Sequence, residues 1–410
     1  MIGRKGSAGS VYYSEKPSWP IDTAYFTSGS DAIDIRYGYW FLWFRKLGRL
    51  DQSTAIPSLS RDIYDVQPIP LAPLAEQRRI VARVDELFAE IAEGEAALAE
   101  ARKGLSTFHR ALLKAAVTSK LTEVWRAANP VTETGHDLVA RIAKDRAANA
   151  PAGGRGRRNS NTSPFDTAAL PELPEEWAWA KVGDLLEFVT SGSRGWKEYY
   201  ANDGAIFVRA QNINSGVLDL SDVAFVRLPS DAEGLRTRLK VNDVLVTITG
   251  ANVTVSARVA QDLQEAYVNQ HVALLRPILP ETSGWILLWL QAYGGGKSQL
   301  VEAAYGAGKP GLNLDNIREV SIAFPPPAEA AEILRRVSDA LAASADTLAV
   351  LDAEAADAAR LKQSILKAAF EGRLSLQDPT DEPAGVLLAR LAANPAITSA
   401  RRGRVRKSEE

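Results

Sequence analysis

Apolar side chains recur at alternating steps of three and four residues in two long stretches of the chain, with interruptions at Gly94 and Ala101 in the first. This spacing is typical of the a and d positions of a coiled coil, and it predicts two long helices, at residues 73–125 and 326–376. About 45 residues of helix would extend roughly 67 Å, well beyond an ordinary globular helix. We therefore expect the two helices to pack against each other, antiparallel. The pattern is carried by Ile80, Val84, Leu87, Ile91, Leu98, Leu105, Phe108 and Leu112, and then by Ile333, Val337, Leu341, Leu348, Leu351, Leu361 and Ile365.

The two stretches belong to an internal repeat. EQRRIVARV at residues 76–84 aligns with EAAEILRRV at a spacing of 253, and LLKAAVTSKL at residues 112–121 aligns with ILKAAFEGRL at the same spacing. A constant spacing without gaps is not what two helices of similar composition would give by themselves. Upstream the match is weaker: a spacing of 247 sets Gly3 on Gly250. The repeat predicts a duplicated unit, a globular segment followed by a long helix.

The globular segments differ in length. Short β-like runs such as AIFVRAQNI and DVLVTITG predict a mixed domain at residues 172–325. Residues 1–72 keep a strand-rich part and the helix-like YGYWFLWFRKLG, so we interpret them as the C-terminal remnant of a first such domain. Residues 126–171 are expected to form a basic flexible linker, and residues 377–410 a basic tail. The predicted fold class is α+β, with two long helices in an intramolecular antiparallel coiled coil.

Composition narrows the classes of function. The chain of 410 residues contains no cysteine and three histidines, which argues against thiol catalysis, thiolate metal sites and a histidine-rich metal cage. No apolar run approaches the ~20 residues of a membrane span, and the first residues lack the apolar core of a secretory signal. We expect a cytoplasmic protein. The formal net charge of -2 means that any binding of nucleic acid must be local.

Two glycine-rich motifs resemble phosphate-binding loops without fulfilling their pattern. GGGKS at residues 294–298 has Gln291 where the P-loop requires glycine, and a helix-like segment precedes it where a strand is needed. GAGKPG has proline after its lysine and is more consistent with a turn. The chain also lacks an Asn-Pro-Pro-aromatic motif for amino methylation. We therefore expect a noncatalytic protein with no cofactor or metal of its own.

Several loops carry side chains that can read base edges, namely arginine or lysine for guanine, asparagine or glutamine for adenine, and hydroxyls for either. The loop SGSRGWK is the strongest candidate, and RAQNIN and TITGANVT follow. Residues 165–325 hold 13 Lys+Arg against 19 Asp+Glu, so bulk attraction would not drive DNA binding. In the remnant, the spacing of 247 sets Arg4 and Lys5 at the positions of Ala251 and Asn252. The candidate DNA contacts are Ser191, Ser193, Arg194, Trp196, Lys197, Arg209, Gln211, Asn212, Asn214, Thr249, Asn252, Arg4 and Lys5.

Several phrases, taken together with the duplicated layout of domain and helix, resemble the specificity subunit of type I restriction-modification systems. They are PLAPLAEQRRIVARVDELFAEI, WAWAKVGDLLEFVTSG, AIFVRAQNIN and GLNLDNIREVSIAFPPPAE. The resemblance implies that each target-recognition domain reads one half of a split DNA site and that the paired helices fix the distance between the halves. It also implies partners: double-stranded DNA, methyltransferase subunits that hold S-adenosylmethionine, and ATP- and Mg-dependent restriction subunits.

The sequence departs from that family in its first recognition domain, which lacks roughly its N-terminal half. Either the true start lies upstream or the gene is truncated, and truncation would put the reading of one half-site in doubt. Two alternatives stay open. One is the specificity region of a fused methyltransferase-nuclease, which would need a catalytic region. The other is an inactive, truncated coiled-coil scaffold, which would show no change in DNA retention when methyltransferase is added.

Overall fold

The computed structural model describes residues 1–27, 31–50, 57–149, 170–192, 195–229, 235–305 and 310–393. It divides into two compact units. Unit 1 comprises Met1–Arg102 and Thr347–Glu410, and unit 2 comprises Lys103–Asp346. Within the described ranges, no helix is both long enough and apolar enough to cross a membrane.

Helices account for much of the described chain, and two of them are 44 residues long. They are α1 (Ile35–Arg45), α2 (Arg61–Asp65), α3 (Leu74–Val117), α4 (Glu123–Ala128), α5 (Gly135–Ala148), α6 (Ser283–Gln291), α7 (Gly296–Tyr305), α8 (Leu314–Arg318), α9 (Pro327–Phe370) and α10 (Ala384–Ala393). The long helices α3 and α9 confirm the two helices that the heptad pattern predicts, and their bounds fall inside the predicted ranges.

Strands are short and lie mostly in unit 2. They are β1 (Ile2–Gly3), β2 (Ala24–Tyr25), β3 (Ala178–Lys181), β4 (Leu186–Ser191), β5 (Tyr200–Ala201), β6 (Ala205–Val208), β7 (Ile213–Asn214), β8 (Val217–Leu218), β9 (Ala224–Val226), β10 (Val244–Thr247), β11 (Ser256–Arg258), β12 (Ala266–Val268), β13 (Val272–Pro277) and β14 (Ser321–Phe324).

Unit 2 is built on two four-stranded sheets. One has the order β11-β10-β13-β4 and is antiparallel throughout, and the other has the order β12-β6-β9-β5 with β12 parallel to β6. A third pairing joins β14 to β3. The core beneath them is aromatic, since Trp177, Trp285 and Phe324 are each at most 2% exposed. Burying side chains of this size supplies much of the apolar area that stabilises a domain.

The same unit holds a buried carboxylate at the start of α9. Glu329 is 1% exposed and accepts hydrogen bonds from Thr122 Oγ1 at 2.6 Å, Arg126 Nη2 at 2.7 Å and Trp177 Nε1 at 2.9 Å. A charge removed from water is tolerated only when it is paired and hydrogen-bonded, and here both conditions hold. The carboxylate thus ties α9 to the segment after α3 and to Trp177, the residue before β3.

Unit 1 is smaller, and its sheet consists of β1 paired with β2. Helix α1 supplies Tyr37, Trp40 and Phe41 to a cluster that also contains Phe370 of α9. Buried Gln77 fixes the entry to α1, because its Oε1 accepts from the backbone N–H of Asp34 at 2.8 Å. Helix α1 is therefore partly covered by the long helices α3 and α9.

Within each unit, α3 and α9 pack side by side in opposite directions. In unit 1, Lys362 binds Glu95 at 2.7 Å and Arg102 binds Asp352 at 2.5 Å, so the partner number falls as α3 advances. In unit 2, Arg336 Nη1 donates to the carbonyl of Leu121 at 2.9 Å. These contacts confirm the predicted antiparallel pairing.

The expected linker and tail contain regular structure that the sequence analysis missed. Helix α5 lies inside the range assigned to the linker, and its residues Leu138 and Ile142 are buried in the core of unit 2. A capping box between Thr134 and Asp137 starts this helix. Helix α10 lies in the range assigned to the tail. Residues 150–169 of the predicted linker and residues 394–410 of the predicted tail lie outside the described residues.

The internal repeat extends to individual hydrogen bonds. The N–H of Arg4 donates to the carbonyl of Thr23 at 2.8 Å in unit 1, and the N–H of Ile248 donates to that of His271 at 2.9 Å in unit 2. A second pair of bonds repeats in the same way, from the N–H of residue 59 to the carbonyl of residue 4 and from that of residue 312 to that of residue 248. Arg4 therefore corresponds to Ile248.

The upstream alignment at a spacing of 247 was wrong by three residues. Lys5 pairs with Ser58 as Thr249 pairs with Gly311, so Lys5 corresponds to Thr249 rather than to Asn252. Likewise Arg4 does not correspond to Ala251. The loops that join the strands differ in length between the units, so a single spacing cannot hold over the whole segment.

Candidate nucleic-acid interface

Four strands of unit 2 end at one edge of the domain. Strands β4 and β10 both pair antiparallel with β13 and so run in the same direction, and β6 is parallel to β12. The N–H of Gly192 donates to the carbonyl of Asn269 at 3.2 Å, and this bond joins the ends of the two sheets. We call the residues at and just after these strand ends the polar edge: Ser191, Gly192, Arg209, Thr249, Asn269, Gln270 and His271.

A close approach of two backbones depends on Gly192. A side-chain Cβ at this position would lie 2.0 Å from the carbonyl oxygen of Val268, which is far inside van der Waals contact. Glycine is therefore required where the loop after β4 crosses the end of β12. The loop SGSRGWK thus begins at the polar edge.

His271 stands at the centre of the polar edge. Its Nδ1 lies 2.5 Å from Thr249 Oγ1, its Nε2 lies 3.3 Å from Gln270 Nε2, and its N–H donates to Asn269 Oδ1 at 3.0 Å. His271 and Gln270 are exposed. The sequence analysis did not select either one, because a lone histidine is more often structural and only the packing of separate strands brings His271 to Thr249.

The RAQNIN segment folds around two aspartates. Asn212 is 3% exposed, and its Nδ2 donates to the carbonyls of Asp219 and Asp222. Asn212 therefore shapes the loop and is removed from the candidate DNA contacts. Arg209 Nη2 donates to the carbonyl of Asp222 at 3.0 Å, and Gln211 Nε2 donates to its carboxylate at 3.1 Å.

The other member of this segment, Asn214, is exposed and its Nδ2 lies 3.4 Å from Asp219 Oδ2. Two hydrogen bonds from Ser221, one from its side chain and one from its backbone, lower the pKa of Asp219. The carboxylate therefore stays ionised beside Asn214. The Asp219 carboxylate orients the side-chain amide of Asn214. The amide must give up this hydrogen bond before it can bind a base.

The SGSRGWK loop divides into parts with different surroundings. Ser191 ends β4 and is half-buried, and Lys197 is exposed. Trp196 is 4% exposed and packs against Phe207 and Tyr267 with ring centroids 5.5 and 5.4 Å apart. Its predicted contact with DNA is corrected, because the ring belongs to the core. The predicted contacts Ser193 and Arg194 lie outside the described residues.

The remaining candidates lie on turns. Asn252 is exposed after Gly250, whose φ of +98° favours glycine. In unit 1, Arg4 Nη1 donates to the carbonyl of Asp22 at 3.1 Å, and its guanidinium lies 5.8 Å from the centre of the Tyr25 ring. Lys5 is exposed. Since Lys5 and Thr23 correspond to Thr249 and His271, unit 1 repeats the central part of the polar edge with different side chains.

The lysine of GGGKS turns inward. Lys297 Nζ donates to Thr254 Oγ1 at 2.7 Å and to its carbonyl at 3.0 Å, and burial lowers the pKa of Lys297. An ammonium engaged in this way stabilises the turn before β11. Among the described residues, no group of three or more His, Asp or Glu side chains is arranged to hold a metal ion.

Known proteins share this architecture. The family model for the type I restriction modification DNA specificity domain matches residues 1–101. The chain is 25% identical over 361 residues to the EcoBI type I restriction enzyme specificity subunit of Escherichia coli, covering 85% of this chain and 68% of that subunit. It is 24% identical over 383 residues to the EcoKI specificity subunit of Escherichia coli strain K12, covering 90% and 72%.

A solved structure supports the fold. It comes from work on the assembly and conformational transition of the type I R-M system, and it superposes with a TM-score of 0.56 at 19% identity, over 82% of this chain and 71% of that one. The sequence matches all name the same kind of protein, and the structural match shows the same fold. The chain is therefore similar to the specificity subunits of type I restriction-modification systems, in sequence and in fold.

Proposed function

We propose that the chain is the DNA sequence-recognition and assembly subunit of a type I restriction-modification complex, and that the polar edge of unit 2 reads one half of a bipartite DNA site. The observation that carries the proposal is the convergence of side chains from four separate strand ends on one edge. A surface of this kind can present several donors and acceptors to neighbouring base pairs at once.

The chemistry of the polar edge suits base reading better than general attraction to phosphate. Gln270 presents an amide that can pair with both N6 and N7 of adenine, while His271 and Thr249 offer donors and acceptors of adjustable direction. Arg209 has its charge balanced by Asp222 at 3.4 Å. Most of the affinity for the backbone must then come from few contacts and from partner subunits.

The corresponding positions of unit 1 are the candidates for the second half-site. Lys5 stands where unit 2 has Thr249, and a lysine can bind O6 and N7 of guanine. Asp22 and Thr23 stand where unit 2 has Gln270 and His271. We infer that the two units read different bases, since the same backbone frame carries different donors and acceptors.

Chemistry in such a complex is assigned to the partners. We propose that methyltransferase subunits, with S-adenosylmethionine, and restriction subunits, with ATP and Mg, act on the DNA that this chain selects. In support, the relatives named above are specificity subunits. The proposal also accounts for a polar edge whose side chains bind one another without forming a triad of nucleophile, base and orienting acid.

The test is DNA binding by the chain assembled with its cognate methyltransferase subunit. We expect Gln270→Ala with His271→Ala to reduce discrimination between the preferred site and a single-base variant by about 10-fold or more, the effect of losing one good base contact. Lys240→Ala is the matched control, because Lys240 is exposed and precedes β10 at the opposite edge. Unchanged discrimination in the double variant would overturn the assignment of the polar edge.

The SGSRGWK loop has a separate test. Arg194→Ala together with Lys197→Ala is expected to weaken sequence discrimination in the same binding measurement. If sequence discrimination stays intact in that variant, the bases are read by the polar edge and not by this loop. An inactive coiled-coil scaffold, the alternative function, predicts no retention of DNA by any version of the chain when the methyltransferase subunit is added.

A further inference from the structure

An arginine that the sequence analysis did not select lies at the polar edge of unit 2. Arg236 is exposed, and its Nε donates a hydrogen bond to Thr190 Oγ1 at 3.3 Å. Thr190 stands next to Ser191, the last residue of β4. The guanidinium of Arg236 therefore lies beside the end of β4.

The backbone near Arg236 gives the same location independently. Arg238 pairs antiparallel with Tyr267 of β12, and the N–H of Leu239 donates to the carbonyl of Ala266 at 2.8 Å. This segment therefore runs against β12, and Arg236 comes two residues before Arg238, toward the end of β12. The polar edge is at that end, where Asn269 follows the strand.

A buried hydroxyl directs the guanidinium of Arg236. Thr190 is 8% exposed, and its Oγ1 donates to the carbonyl of Ser191 at 3.3 Å. A hydroxyl has a single hydrogen to donate, so the lone pairs of Thr190 Oγ1 remain to accept the Nε–H of Arg236. The β-branched side chain of Thr190 has few rotamers, which keeps this acceptor in place. Arg236 is thus held by a fixed neighbour before any ligand binds.

The tip of the guanidinium is open to a ligand. Among the described residues, no carboxylate forms an ion pair with Arg236, and no acceptor binds its Nη1 or Nη2. Arg209 of the polar edge differs, because its Nη2 lies 3.4 Å from Asp222 Oδ2. Two parallel N–H donors at the tip of an arginine match the O6 and N7 acceptors of guanine in the major groove.

The position of Arg236 favours a base over a phosphate as its ligand. A phosphate attracts any nearby cation, so a contact with the DNA backbone does not need a fixed direction. A bidentate contact with a base does need one, and Thr190 provides it for Arg236. Arg236 also lies among side chains that can read bases, since Gln270 comes directly after Asn269 at the same end of β12.

We propose that Arg236 reads a guanine within the half-site selected by the polar edge, through hydrogen bonds from its Nη1 and Nη2 to O6 and N7, and that Thr190 is its positioning residue. This inference rests on the function proposed above. Because Arg236 and Gln270 lie at the same strand end, the guanine and the base that Gln270 reads belong to one half-site.

The first experiment measures DNA binding by the chain assembled with its cognate methyltransferase subunit. We expect Arg236→Ala to reduce the preference for guanine at one position of the site by about 10-fold or more. Arg238→Ala is the matched control, because Arg238 is exposed in the same segment but its Nη2 donates to the carbonyl of Gln264, before the start of β12. It should leave the guanine preference unchanged.

The same measurement separates this inference from the function on which it rests. If Gln270→Ala with His271→Ala weakens discrimination and Arg236→Ala does not, the polar edge still reads DNA and the role of Arg236 is refuted. If the original chain discriminates between no sequences, the proposed function and the role of Arg236 both fail.

The second experiment removes one acceptor from the DNA. In 7-deazaguanine a C–H group replaces N7, so one of the two proposed hydrogen bonds is lost. We expect this substitution at the read position to weaken binding of the original chain by about 10-fold, the effect of one hydrogen bond to a charged group. It should not weaken binding of Arg236→Ala any further. Equal weakening in both chains would overturn the contact with N7.

The third experiment tests the role of Thr190 and the alternative of a phosphate contact. Thr190→Val keeps the shape of the side chain without its hydroxyl and should reduce the guanine preference by about 3-fold, whereas Thr190→Ser should retain it. An unchanged preference in Thr190→Val would refute the positioning role. A phosphate contact predicts that Arg236→Ala weakens binding to all sequences alike and reduces the salt dependence by about one phosphate, and this result would overturn the proposal.

Discussion

Units 1 and 2 carry the same helical frame, but they treat an equivalent buried carboxylate in opposite ways. Glu329 receives donors from a hydroxyl, a guanidinium and an indole, whereas Glu76 receives none among the described residues. The glutamates are equally spaced at the starts of their helices, so local helix sequence does not explain the difference. It follows in part from the segment after each long helix, because Arg126 donates to Glu329 and the residue at the equivalent position, 253 residues further on, is Pro379.

The largest expected difference comes from removing the two carboxylates. Glu329→Ala should lower the free energy of unfolding by about 3–5 kcal/mol, because it leaves the guanidinium of Arg126 buried without its partner. Glu76→Ala should cost less than about 1 kcal/mol, since no donor is stranded. Urea unfolding of both variants measures the contrast. Equal losses at the two positions would show that the units handle this carboxylate alike.

A second variant breaks the polar edge at its crossing point. Gly192→Ala should destabilise unit 2 by about 1–3 kcal/mol, because the added Cβ must push apart two backbones. It should also weaken base discrimination, since the ends of β4 and β12 would separate. Gly94→Ala is the control: a Cβ there meets nothing within 4 Å, so it should raise stability by about 0.5–1 kcal/mol. A neutral Gly192→Ala would contradict the close packing of this edge.

In unit 1, Tyr37 Oη donates to the carbonyl of Pro70, much as Trp285 Nε1 donates to the carbonyl of Ala323 in unit 2. We expect this hydrogen bond to stabilise unit 1. Tyr37→Phe removes the bond from Tyr37 Oη to the carbonyl of Pro70 and is expected to cost about 0.5–1.5 kcal/mol in thermal or urea unfolding. Tyr12→Phe, at a side chain that is 54% exposed, should be neutral. If Tyr37→Phe is also neutral, the hydrogen bond between Tyr37 and Pro70 contributes nothing to the free energy of unfolding.

A further effect is a pH dependence that appears only in strongly alkaline solution. Burial, and then the nearby Glu76 carboxylate, raises the pKa of Tyr37 to about 12 from its usual 10. Folding therefore favours the protonated phenol, and this contribution is complete below about pH 10 and lost as the pH rises through about 12. Alkaline unfolding should be less steep in Tyr37→Phe than in the original chain. Identical curves would refute a raised pKa for this tyrosine.

Much of the scaffold could be predicted from the sequence, because helical periodicity and a constant spacing of 253 depend on local pattern alone. The long helices, their antiparallel pairing and the duplicated layout all follow from it. The upstream register could not be predicted in the same way. Loops of unequal length shift the correspondence of Arg4 and Lys5, and only repeated hydrogen bonds reveal it.

The candidate site was harder to predict than the scaffold. Trp196 looked like part of a reading loop because it lies between polar residues, but its ring fills the core beside Phe207. Asn212 looked like an adenine reader, yet it satisfies the carbonyls of its own turn. His271 and Gln270 were missed since their approach to Thr249 depends on strand pairing across more than twenty residues of sequence. Which residues belong to the candidate site therefore depends on tertiary packing and not on local sequence.

The central claim is that the polar edge selects DNA sequence. The most direct measurement is selection from a random DNA library by the chain assembled with its methyltransferase subunit, repeated with Gln270→Ala and His271→Ala together. We expect the original chain to enrich a split site and the double variant to lose preference at positions within one half while keeping the other. Enrichment of the same full site by both would contradict this claim.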